Sequence, residues 1–114
     1  MVLQQELQDF IFDKLTNATK TIEVGDLTGT PNSFTDNLTN TRETKTNTEI
    51  TTTVVGNIIK FTTQLDETEA NTYTINTIKL TADSYSLDIS KHTDIAKDNN
   101  IVVQYTEQLV HFVE

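Results

Sequence analysis

The chain has no cysteine, no tryptophan, one proline, one arginine and three glycines in 114 residues. Lack of cysteine excludes a disulfide framework, a thiolate zinc site and a cysteine nucleophile, and leaves the compartment open. With Arg42 as the sole arginine and a formal net charge of -9, no basic face can be assembled. Nucleic-acid partners, which reward displacement of counterions by cations, are therefore not expected, and anionic membrane surfaces are disfavoured by the same repulsion. No apolar run approaches the roughly 18 residues of a membrane-spanning helix. Met1 to Glu6 shows neither the basic start nor the apolar segment of a secretion signal. The expectation is that a route outside the cell runs through lysis or an assembly.

What is present is mostly threonine, with asparagine, aspartate and isoleucine. Threonine and isoleucine fit pleated sheets, and asparagine and aspartate fit turns, so the balance predicts β structure. The length fits one domain, with an N-terminal helix within residues 1–20 and an antiparallel, jelly-roll-like β-sandwich over 21–114. Val2 to Thr16 reads as the helix. Leu3, Leu7, Phe10, Ile11, Phe12 and Leu15 recur at helical spacing and predict one stripe docked on a sheet.

A short strand, Thr21 to Val24, ends at Gly25 and opens a long loop punctuated by Gly29 and Pro31, with Leu38 as its far anchor. Thr48 to Leu65 is the clearest hairpin, turning at Gly56-Asn57. Its register places Val54 opposite Ile59, Thr52 opposite Phe61 and Ile50 opposite Thr63 on a core face. Thr51, Thr53, Lys60 and Thr62 lie on the other. Thr74 to Ala82 is a strand with Ile78, Leu80 and Ala82 inward. After a turn at Asp83-Ser84, Tyr85, Leu87 and Ile89 are expected inward, and His92 to Asn100 reads as a polar connection. The last strand, Ile101 to Val113, is apolar on parts of both faces, which predicts a central strand or an oligomer interface.

Chemistry-bearing residues are sparse. His92 and Asp94 lie too close in sequence to make a triad, and no serine occupies a Gly-x-Ser-x-Gly elbow, so no enzyme activity is expected. Asp66, Glu67 and Glu69, and Asp94 and Asp98 with Asn99 and Asn100, offer oxygen-rich loops of the kind Ca²⁺ uses. Neither matches a known calcium loop, and solvated charge is the simpler reading, so no metal or cofactor is assigned. Asn17 and Asn37 stand in glycosylation sequons. Tyr73, beside the acidic loop, is the best exposed platform for stacking a sugar, whereas Tyr85 and Tyr105 read as core or hairpin residues.

The order of these pieces resembles the small tail-fibre-like and tail-collar-like structural proteins of tailed phages and related archaeal viruses. There a helix runs into an Ile-x-Leu-Gly-x-Gly-Thr-Thr-x-Pro loop and a Thr-Asp-x-Leu segment. Here the matching pieces are Thr21 to Pro31 and Thr35-Asp36-Asn37-Leu38. Val54 to Thr63, Glu69-Ala70-Asn71, Thr74 to Leu80 and Asp94 to Asp98 continue the likeness over nearly the whole chain. The resemblance implies a non-enzymatic virion component: a tail, baseplate, fibre-anchor or capsid-surface subunit. It would act with other virion proteins and as a homo-oligomer, a trimer above all. The surfaces expected to meet neighbours are Val103, Val110 and Phe112 on the last strand and Thr51, Thr53 and Thr62 on the hairpin. The alternative is a module binding a host glycan or host protein during adsorption, and a third reading is an acidic cytosolic β-domain.

Overall fold

The computed structural model describes residues 4–110, the side chain of Val110 excepted. One helix, α1 (Gln5–Asn17), precedes seven strands: β1 (Lys20–Asp26), β2 (Asn40–Lys45), β3 (Thr51–Val55), β4 (Ile58–Leu65), β5 (Thr74–Ala82), β6 (Tyr85–Ala96) and β7 (Val103–Val110). They form two antiparallel sheets, ordered β2-β1-β5-β6 and β3-β4-β7. Period-two alternation decides which side of each strand is buried. Ile22, Val24, Ile78 and Leu80 of the larger sheet face Ile59, Phe61, Leu65, Val103 and Tyr105 of the smaller one. The chain is mainly β, an antiparallel sandwich with one N-terminal helix, as its composition and alternation predict.

Several local expectations shift. The hairpin keeps its Val54–Ile59 and Thr52–Phe61 pairs, with Gly56 in the left-handed region. Its first strand begins only at Thr51, because a 3-10 turn at Asn47–Glu49 precedes it. Thr46 and Glu49 close that turn with reciprocal capping bonds, which satisfy amides a strand would have paired. The polar stretch from His92 is not a connection, since β6 runs on through Ala96. Threonine and isoleucine in that stretch sustain extended backbone despite its polarity. The closing strand is not central: among the described strands β7 pairs only with β4 and forms an edge.

Gly25 does not end β1. A bulge between Val24 and Gly25 lets the strand continue against β2, and a Cβ at Gly25 would stand 1.9 Å from the Asn40 carbonyl oxygen. Only a residue without a side chain permits that approach. The loop over residues 27–39 closes at its base through Thr39 N–H to Asp26 O (2.8 Å) and Asn40 Nδ2 to Asp26 Oδ1 (2.9 Å). It lies over the outer face of β6, where Lys91 donates to the carbonyls of Leu27 and Gly29.

Most of the cations serve inside the fold. Lys20 is buried and donates to the carbonyls of Leu15 and Thr16, which α1 leaves unpaired at its C-terminus. Desolvation lowers its pKa, and Asp83 partly offsets this. Lys45 is buried against Glu69 at 2.6 Å. Desolvation lowers its pKa too, but the bonds and charges of Glu69 and Glu49 outweigh it and leave the ammonium above its usual value. Lys97 is buried and donates to Asn71 and to the Asp98 carbonyl. Lys79 reaches Asn37 and lies 3.9 Å from Glu23, and Arg42 pairs with Asp26 while stacking 4.2 Å above the Tyr73 ring. Lys14 and Lys60 are left exposed and outside any ion pair among the described residues. The outer surface is therefore more uniformly acidic than the net charge implies.

Candidate functional site

The two sheets do not close on each other along one side. There the edges β6 and β7 run beside an apolar groove of about 280 Å³. Phe61 and Leu80 lie at its base, Leu15 enters from the last turn of α1, and the half-exposed Leu87 and Leu109 stand at the rim. The register explains the polar wall. Asp88 pairs with Leu80 and Ser90 with Ile78, so both occupy the inward side of β6. Glu107 pairs with Phe61 and takes the inward side of β7.

Glu107 faces Asp88 across the opening, and the Ser90 hydroxyl donates to Asp88. Burial raises the Glu107 pKa first, and the hydrogen bond and charge of Asp88 raise it further. Ser90 acts the other way, and the net result is a pKa pushed up to about 7. At neutral pH the pair thus holds a proton between the sheets for part of the time. Farther along the seam the His92 ring meets Tyr105, with centroids 6.1 Å apart. Burial alone raises the Tyr105 pKa.

β6 is the main departure from the sequence reading. Tyr85, Leu87 and Ile89 do not form its inward stripe. Ile89 pairs with Lys79 on the outer face, Leu87 sits in a bulge, and Tyr85 is 76 % exposed. The physical reason is the 27–39 loop. It covers the outer face near β6, gives apolar residues a place there, and leaves the inward positions of an edge strand to polar groups. The signal in the sequence was the Asp88-x-Ser90 alternation, which apolar counting passes over.

The helix departs in the same manner. Its buried side is formed by Gln8, with Phe12 and Leu15 packed against the core. Leu7 is 45 % and Phe10 57 % exposed. The stripe is too wide for the contact available, so half of it faces outward with Lys14 above the Phe10 ring at 5.5 Å. Leu3 lies outside the described residues.

Of the expected interface positions, Val103 is buried in this chain's own core and is not free for a neighbour. Thr51 and Thr53 are exposed on the outer face of the smaller sheet. Thr62 is half-buried beside Thr106, their hydroxyls 3.3 Å apart. The Val110 side chain and Phe112 lie outside the described residues. The acidic loops use their oxygens internally: Asp66 accepts from Thr68, Glu69 binds Lys45, Asp94 accepts from Asn76, and Asp98 accepts from the Asn100 amide. Among the described residues no group of three or more carboxylates or histidines converges on a metal position, and no helix is long and apolar enough to cross a membrane.

Comparison with known proteins gives no matching family model, no matching curated protein and no matching solved structure. The likeness to tail-type proteins therefore rests on the order of the motifs in this chain.

Proposed function

We propose that this chain is a structural protein of a tailed virus, in the tail, baseplate, fibre anchor or capsid surface, and that it works by protein–protein assembly as a homo-oligomer. The observation that carries the assembly reading is the apolar side of α1 left outside the fold. Leu7 and Phe10 cost free energy in water, at roughly 25 cal/mol per Å² of apolar surface, and a neighbour's cover recovers it. The virion setting comes from the motif order, and a trimer is the stoichiometry that the resemblance implies. Light scattering on the purified chain tests the first part: a closed oligomer is expected, and a persistent monomer refutes it. Finding the chain in purified particles tests the second.

A second reading, recognition of a host glycan, is favoured by one surface. A polar groove of about 330 Å³ runs between the 27–39 loop and β6, lined by Asn32, Ser33, Thr35 and Ser86. Phe34 and Tyr85, adjacent in sequence to these residues, are 88 % and 76 % exposed. Hydroxyls and amides near exposed rings form the usual sugar-binding combination. Tyr73 is less suited, since Arg42 already covers one of its faces. Glycan-array binding by a monomeric chain, lost in Phe34→Ala, would favour this reading over assembly.

A further inference from the structure

We propose that the outer face of α1, formed by Leu7, Phe10 and Lys14, docks into the β6–β7 groove of a second copy of this chain. In that contact the Lys14 ammonium lies against the Asp88 and Glu107 carboxyls. The inference rests on the homo-oligomer reading above and names the two surfaces that meet.

Leu7, Phe10 and Lys14 stand three and four residues apart and share one side of the helix. Gln8 and Phe12 turn the opposite way into the sandwich. The exposed side is thus an apolar strip ending in a cation. The groove has the complementary pattern: an apolar base of Phe61 and Leu80, a rim of Leu87 and Leu109, and a carboxyl pair on its wall. Its volume of about 280 Å³ has room for a phenyl ring.

Charge selects the occupant. Copies that each carry -9 repel, so a contact between them must bring a cation to an anion. Six of the eight cations are engaged within the fold. Of the remaining two, Lys60 pairs with Thr53 on the outer side of the smaller sheet, among threonines with the exposed Val55 nearby. Lys14 ends a strip that carries an exposed leucine and an exposed phenylalanine. A carboxyl pair sharing a proton carries one net negative charge, which one ammonium balances. Helix face and groove are different surfaces, so the contact forms either reciprocally in a two-fold dimer or head to tail, closing as a ring where the rotation permits.

The absence of cysteine gives a direct test. A chain carrying Phe10→Cys, mixed with one carrying Leu109→Cys under mild oxidation, should give a disulfide-linked pair. Phe10→Cys mixed with Val55→Cys, an exposed position on β3, should give none. By light scattering and sedimentation, Phe10→Glu and Lys14→Glu should each weaken association at least about tenfold, as loss of a central contact does. Asp88→Lys in the same chain as Lys14→Glu should restore it. Equal cross-linking to positions 109 and 55 overturns the proposal. So does wild-type association in Phe10→Glu, which leaves the oligomer reading intact and assigns it to another surface. A wild-type chain monomeric at about 100 μM overturns both. Phe10 and Lys14 are exposed, so their variants fold; if Asp88→Lys does not, the cysteine pairs decide.

Discussion

Replacing Glu107 by glutamine should change stability in one pH range and not in another. The carboxyl lies half-buried against Asp88, and its pKa in the fold is about 7 against 4.5 in the unfolded chain. Below pH 4.5 both states hold the proton and the fold keeps its full stability. Between 4.5 and 7 the unfolded chain releases its proton while the folded one retains it. Stability is therefore lost as pH rises through this window and levels off above it. A shift of that size corresponds to at most about 3 kcal/mol. Solvent at the groove mouth screens the pair, and about 1–2 kcal/mol is the realistic share. Glutamine keeps a neutral donor toward Asp88 and cannot ionise. Glu107→Gln should match the wild type at pH 4 and exceed it by about 1–2 kcal/mol at pH 8.5, raising the Tm by about 4–8 °C. Urea melts of both proteins at the two pH values make the measurement, and their difference cancels the general repulsion of an acidic chain. An equal gain at both pH values, or no gain at pH 8.5, would refute a proton shared between the sheets.

Other perturbations test the frame. Gly25→Ala drives a methyl into the Asn40 carbonyl and should cost about 2–3 kcal/mol by chemical denaturation; a smaller loss means that the bulge can relax. Glu69→Ala leaves the buried Lys45 ammonium with Glu49 alone, 3.5 Å away, and should cost about 3 kcal/mol, whereas Glu67→Ala in the same loop, exposed and outside any ion pair among the described residues, should change little. Asp83 and Ser84 form the β5–β6 turn with φ of 47° and 76°. Ser84→Gly should therefore raise stability by about 0.5–1 kcal/mol in the same assay.

What the sequence made legible was whatever strict alternation or turn chemistry controls locally. The Val54–Ile59 and Thr52–Phe61 register followed from the turn, and the inward Ile78, Leu80 and Ala82 followed from period two. The apolar side of α1 was legible as a stripe, but its wetness was not. Burial depends on how much sheet is available to cover it, and among the described residues Gln8, Phe12 and Leu15 turn toward the core while Leu7 and Phe10 stay exposed. The β6 face was misread for a tertiary reason. A loop some fifty residues earlier in the chain covers that strand from outside, and no local pattern encodes this. The Asp88–Glu107 pair joins strands from different sheets, so its members are neighbours only once the sandwich exists.

The internal use of lysine has a practical consequence for anyone labelling this protein. To an amine-reactive reagent the folded chain presents four of its seven lysine side chains, with Lys14, Lys60 and Lys91 exposed and Lys79 partly so. The ammonium groups of Lys20, Lys45 and Lys97 are withdrawn from solvent. Acylation of those three reports unfolding, residue by residue, in a mass spectrum. Lys60 serves as the internal standard. Selective slowing at Lys14 as concentration rises would map copies meeting through the helix, without mutation or tag.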